Sequence, residues 1–152
     1  MKTLARHQDR DEILRRLRGV RADSTARWGR MNAHQMICHV GDTCRMGSGE
    51  RQVSRATGLA QQTVIKWIAL YSPLRWPPGV PTVPETDQES GGTRPGDFDV
   101  DLARAIALVE AFAARAGVRA WPDHPIFGPM SEAAWMRWAY LHADHHLRQF
   151  GQ

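Results

Sequence analysis

The chain has 152 residues, 42% hydrophobic and 24% charged, which is the balance of one globular domain over residues 1–152 with length enough to bury a core. All but Lys2 and Lys66 of its 20 basic residues are arginine, scattered among 16 acidic residues, and the net charge is only +4. That scatter argues against a nucleic-acid partner despite a pI of about 9.7, because binders of phosphate backbones concentrate their charge on one face or tail.

Met1–Glu12 has no apolar core of the kind a secretory signal needs, so none is expected. A first helix is predicted over Asp9–Gly19, with Ile13, Leu14 and Leu17 as its apolar stripe. Arg15, Arg16, Arg18 and Arg21 are expected to form a solvated face. A second helix should open at Asn32, which with Gln35 resembles a capping box, and close near Met46–Gly49. Its apolar face runs through Met36, Val40 and Cys44. Cys38 and Cys44 lie about 120° apart around such a helix, which disfavours a bridge and predicts free thiols in a cytoplasmic protein.

Leu59–Tyr71 is predicted to be helical, with Val64, Trp67, Ile68 and Tyr71 on a shared side. The apolar run Val64–Leu74 is broken by Lys66, Ser72 and Pro73 and is too short to span a bilayer, so no membrane partner is expected. Ser72–Gly96 then carries Pro73, Pro77, Pro78, Pro81, Pro84 and Pro95, a density that forbids a helix. Loops of this length inside a compact domain often serve as lids. A further helix follows the acidic start Asp97, Asp99 and Asp101 and continues through Leu102, Ile106, Val109, Phe112 and Ala113 to Gly117. The turn HPIFGPM (His124–Met130) delivers the chain to Ser131, an expected N-cap, and to a last helix over Glu132–Phe150. The fold class is therefore all-α: a four-helix bundle with one long crossover and an extra helical segment.

The last helix contains YLHADHHLRQF. Trp135, Trp138, His142, His146 and Gln149 follow one another in steps of three and four, so the two histidines share the inward face of the tryptophans. His145 falls at the edge of that stripe; Asp144 and Arg148 fall toward solvent. The second helix has a similar stripe of Gln35, His39, Asp42 and Met46. An i, i+4 histidine pair can reach one ion, and a third imidazole from a facing helix leaves coordination positions open for water or substrate. His39, His142 and His146 are the predicted metal ligands, supported by Asp42 and Gln149 three residues from a ligand each. Buried histidine pairs also occur without a metal, and that alternative stays open. His34 and His124 are expected at surface or turn positions, His7 in a disordered terminus, and Cys38 as a packing residue rather than a ligand.

RWGRMNAHQMICHVGD (Arg27–Asp42) and HPIFGPMSEAAWMRWAYLHADHHLRQFGQ (His124–Gln152) together resemble the DinB-like superfamily of metalloenzymes, nearest a bacterial branch known mainly as a domain of unknown function. The resemblance implies a four-helix bundle with an unusual crossover, often a homodimer, holding a divalent metal on His39, His142 and His146. His145 matches the position of the cluster that is not normally a ligand. Relatives in that superfamily include S-transferases using a low-molecular-weight thiol and a mycothiol-dependent isomerase. The pattern departs at Leu147, Arg148 and Gln149, where the superfamily often has Arg-Gly-Gln, and in the proline-rich segment. The expected function is a metal-dependent enzyme acting on a small-molecule substrate, either a thiol S-transferase or a hydrolase. Zinc or nickel is the expected ion, with arginines from the proline-rich segment binding anionic groups. The alternative is a non-catalytic metal-binding or dimerising module.

Overall fold

In the computed structural model, residues 1–56, 58–80, 82–117 and 120–152 are described; Pro81, one of the loop-breaking prolines, lies outside them. The helices are α1 (His7–Arg18), α2 (Ala33–Ser48), α3 (Lys66–Tyr71), α4 (Phe98–Ala113) and α5 (Glu132–Gln149). A π-helical turn, Gln61–Ile65, runs into α3, and a single 3-10 turn, Pro84–Thr86, interrupts the proline-rich crossover. Among the described residues there is no strand, only the isolated bridge between His124 and Gly128. No helix among them is long and apolar enough to cross a membrane.

The helix ends follow from local chemistry. Asn32 Oδ1 accepts the Gln35 N–H at 2.9 Å while Gln35 Oε1 accepts the Asn32 N–H at 2.9 Å, closing the expected capping box of α2. Gly49 ends that helix at φ 83, a left-handed conformation that only glycine enters without cost. Asp97 and Ser131 cap α4 and α5 by accepting from Val100 and Ala134. α1 starts two residues before the predicted Asp9 and has no side-chain cap. The buried Asp9 instead accepts the Thr3 N–H and pairs with Lys2 and Arg6, tying down the N-terminal segment.

Four long helices bury a common core. Ile13 and Leu17 of α1, Met36 and Ile37 of α2, Val109 and Phe112 of α4, and Trp135 and Leu147 of α5 are all fully or nearly fully enclosed. α2 lies along α4 and also touches α5, while α1 bridges α4 and α5. Gly47 permits the close approach, since a Cβ there would sit 2.6 Å from the Phe112 ring and 3.0 Å from Trp135. Both cysteines are free and buried, and burial pushes their thiols up to about 12.

One expectation about faces is corrected. Arg16 is not solvated with its neighbours: it is buried and donates to Asp144 Oδ1 at 2.8 Å and to the Gln152 carbonyl at 3.1 Å, neutralised by a partner that only the packing of α1 on α5 supplies. The expected shared side of Val64, Trp67, Ile68 and Tyr71 is largely exposed, Trp67 being 62% exposed, with Ile68 also lining a cavity, while Leu70 is the residue this element buries. The π-helical turn before α3 adds a residue to the winding and shifts the face that meets α5.

The proline-rich crossover is well anchored. The fully buried Asp42 of α2 accepts the Thr93 N–H at 2.7 Å, the Thr93 hydroxyl at 2.6 Å and the Gln88 amide at 3.1 Å. Arg51 pairs with the same carboxylate at 2.9 Å and donates to the carbonyls of Glu85 and Gly91. This clamp sets the position of Thr86, between Glu85 and the Gln88 anchor.

Candidate metal centre

The inward stripe of α5 brings the His142 and His146 rings to a centroid separation of 4.7 Å. α2 supplies His39, whose ring lies 5.0 Å from that of His142 and 4.7 Å from that of His146. One ring nitrogen of each residue lies within 4.8 Å of the others, a group able to hold a metal ion. Three imidazoles on a tetrahedral ion at 2.0–2.1 Å would place their nitrogens about 3.3 Å apart. The His39 and His142 Nε2 atoms are 3.1 Å apart, close to that spacing.

The proton positions follow from what each outer nitrogen touches. His39 Nδ1 is 2.7 Å from the Thr86 carbonyl, which can only accept, so Nδ1 carries the hydrogen and Nε2 a lone pair. His146 Nδ1 is 3.0 Å from Gln149 Oε1, and the Gln149 amide nitrogen donates to the Trp28 carbonyl at 2.6 Å, which turns Oε1 toward the imidazole. His142 Nδ1 is 3.5 Å from the Thr43 hydroxyl, itself donating to the Val40 carbonyl at 2.9 Å and so left with lone pairs toward the ring. The outer partners thus keep the Nδ1 hydrogens of His39 and His146 outward, and His142 can take the same tautomer by turning Nδ1–H to Thr43 and giving up its 3.1 Å Nε2 contact with His39, which yields the donor set a divalent cation requires. Burial pushes all three histidines below their ordinary range, and for His142 the neighbouring imidazoles push the same way. They are neutral near pH 7, the ligating form.

Gln149 touches a predicted ligand, as its spacing suggests. Asp42 does not: its carboxylate is taken up by Thr93, Gln88 and Arg51, and the acceptor on His39 is the Thr86 carbonyl. Asp42 acts one step removed, by anchoring the crossover that carries Thr86. Nothing in the sequence marks Thr86, 47 positions from His39. Thr43 could have been found, since it follows His39 at i+4. His145 is buried outside the cluster, its ring 5.7 Å from Trp28, 6.2 Å from Trp76 and 5.2 Å from His146. Asp144 and Arg148 are only half-buried and pair with each other at 2.9 Å. His7 is exposed but does not lie in the disordered terminus expected of it; it opens α1.

His124 sits in the expected turn but is buried, contrary to a surface placement. Its Nδ1 accepts the N–H groups of Ile126 and Phe127, its ring packs 4.8 Å from Trp138, and burial pushes it down to about 3. Beside the three histidines lies a partly open cavity of about 380 Å³, walled mainly by apolar side chains including Ile68, Trp76, Phe127 and Trp138. Arg75, exposed and carried by the proline-rich segment, is the basic residue on its lining.

Residues 2–152 match the family described as a protein of unknown function (DUF1569). No match was found among curated proteins or among solved structures. With the match running over essentially its whole length, the chain belongs to the DUF1569 family.

Proposed function

We propose that this protein is a divalent-metal-dependent enzyme built on a DinB-like four-helix bundle, with His39, His142 and His146 as its ligands and zinc or nickel as its ion. One observation carries the reading: a ring nitrogen from each of three histidines converges beside a partly open cavity of ligand size, rather than in a sealed core. A divalent ion there would lower the pKa of a bound thiol or water toward neutrality. The chain's own residues do the rest. Thr86, Thr43 and Gln149 hold the imidazoles in the ligating tautomer, Trp76 and Trp138 give an apolar wall that excludes water, and Arg75 meets an anionic group at the mouth. The reaction is thiol S-transfer with a low-molecular-weight thiol, or hydrolysis of a small-molecule substrate by the same site, in the cytoplasm.

The reading is tested by metal analysis after reconstitution with zinc or nickel, together with a screen of thiol-conjugation and hydrolase substrates. The ion bound at this cluster should be lost in His142→Ala and in His146→Ala and largely kept in His145→Ala. Equal loss in all three, or none bound by the wild type, would reject the site.

A second reading, a dimerising module without turnover, is favoured by the outward apolar stripe of the α3 region. Leu59, Trp67 and Leu74 are 85%, 62% and 71% exposed there, and such a patch fits a homodimer contact.

A further inference from the structure

Helical geometry turns successive residues about 100° apart, so Cys38, next to His39 in the chain, faces α4 instead of α5. It is not only a packing residue there. His34, one turn earlier on the same face, and Asp101, in the first turn of α4, meet it: His34 Nε2 lies 2.9 Å from Asp101 Oδ2, and Cys38 Sγ lies 3.8 Å from the same oxygen. One ligand atom from each of the three falls within 4.8 Å of the other two. We propose that His34, Cys38 and Asp101 form a second, separate site for a borderline-soft divalent cation such as zinc, joining α2 to α4.

The distances suit that ion. A tetrahedral zinc with bonds of about 2.0 Å to nitrogen and oxygen and 2.3 Å to sulfur sets N···O at about 3.3 Å and S···O at about 3.5 Å. The observed pairs need to move by only a few tenths of an ångström. The carboxylate is already braced, with the Gly96 N–H on Oδ2 at 2.8 Å and the Arg104 guanidinium on Oδ1 at 2.8 Å, which leaves an Oδ2 lone pair for the metal. The His34 ring is set edge-on to Phe98 at 5.3 Å. A void of about 10 Å³ opens beside Cys38 and Asp101, the size of one water and enough for a fourth ligand. Arg45 and Arg104 also line it; Arg45 pairs with Asp42, and Arg104 would share the Asp101 carboxylate with the ion.

The protons balance. Binding breaks the Cys38 S–H bond and releases that proton to solvent, while the His34 hydrogen moves from Nε2 to Nδ1, freeing the Nε2 lone pair that now contacts Asp101. One thiolate and one carboxylate then offset most of the dication's charge, the carboxylate being shared with Arg104. A mixed sulfur, nitrogen and oxygen set favours zinc or cobalt over magnesium or calcium.

Cobalt(II) distinguishes this site from the three-histidine cluster, because only a thiolate ligand produces a sulfur-to-cobalt charge-transfer band in the near ultraviolet. Titrating the folded protein with Co²⁺ should develop that band to saturation, at one equivalent per chain in His142→Ala where the histidine cluster is broken, and Zn²⁺ should abolish it. The band should persist in His142→Ala and in Cys44→Ser, weaken at least tenfold in apparent affinity in Asp101→Asn, and vanish in Cys38→Ser. No thiolate band in the wild type at saturating Co²⁺ overturns the proposal, as does a band lost with Cys44 rather than Cys38. Loss of metal at the histidine cluster would leave the band in place, so the two sites fail separately. Should Cys38→Ser not fold, the wild-type band together with Cys44→Ser and Asp101→Asn decides.

Discussion

The centre depends on which nitrogen of each imidazole carries its hydrogen, and neighbouring oxygen atoms decide that. Gln149 is the clearest case: its amide is held by the Trp28 carbonyl at 2.6 Å, so its oxygen can face only His146. Replacing it with methionine keeps the length and removes the acceptor. Gln149→Met should therefore weaken zinc binding roughly 10- to 100-fold, the usual range for such outer partners, with helical content unchanged. Chelator competition measures this; wild-type affinity in the variant would mean that Gln149 only packs. The helical spacing of Trp135, Trp138, His142 and His146 makes this residue legible in the sequence, because all of these positions sit on one helix. Thr86 was not legible, because a backbone carbonyl on a distant turn has no sequence signature.

At the scale of elements, α2 is the organising helix. One face carries His39 toward α5, another carries His34 and Cys38 toward α4, and Asp42 holds the crossover. Asp42 has no exposure, and its carboxylate gathers Thr93, Gln88 and Arg51. Removing one partner of a buried ionic network leaves the others uncompensated, at a typical cost of about 3 kcal/mol or more. Asp42→Ala should lower the thermal midpoint clearly and, by releasing Thr86, also weaken the metal site. An unchanged midpoint in differential scanning calorimetry would show that residues 85–93 are held by other contacts. The capping box of α2 and the Ser131 cap were readable beforehand, since each is a local pattern of side chain and backbone within one turn, whereas Asp97 was read only as part of an acidic start and proves to be the cap of α4. The outward turn of the α3 stripe was not, because its phase depends on a π-helical turn and on which side α5 occupies.

For the whole molecule, the outward apolar stripe poses the question of assembly. Trp67 stands 62% exposed between Val64 and Ile68, an arrangement that water does not favour unless a second surface covers it. If that surface is a second copy, the wild type should sediment as a dimer at micromolar concentration and Trp67→Glu as a monomer, with the metal content of each chain retained. A monomeric wild type would remove this contact from consideration.

Composition and periodicity alone determined that the chain is helical, where its caps fall, and that His142 and His146 share a face with two tryptophans. These are short-range properties, fixed by the turn of a helix and by the side chains within it. Only the tertiary structure decided that His39 meets them, that Arg16 finds Asp144, that Cys38 looks toward Asp101, and that the crossover brings a carbonyl to His39. Those pairings span elements far apart in the chain, and they are selected by how the apolar faces pack together rather than by any pattern within a single segment.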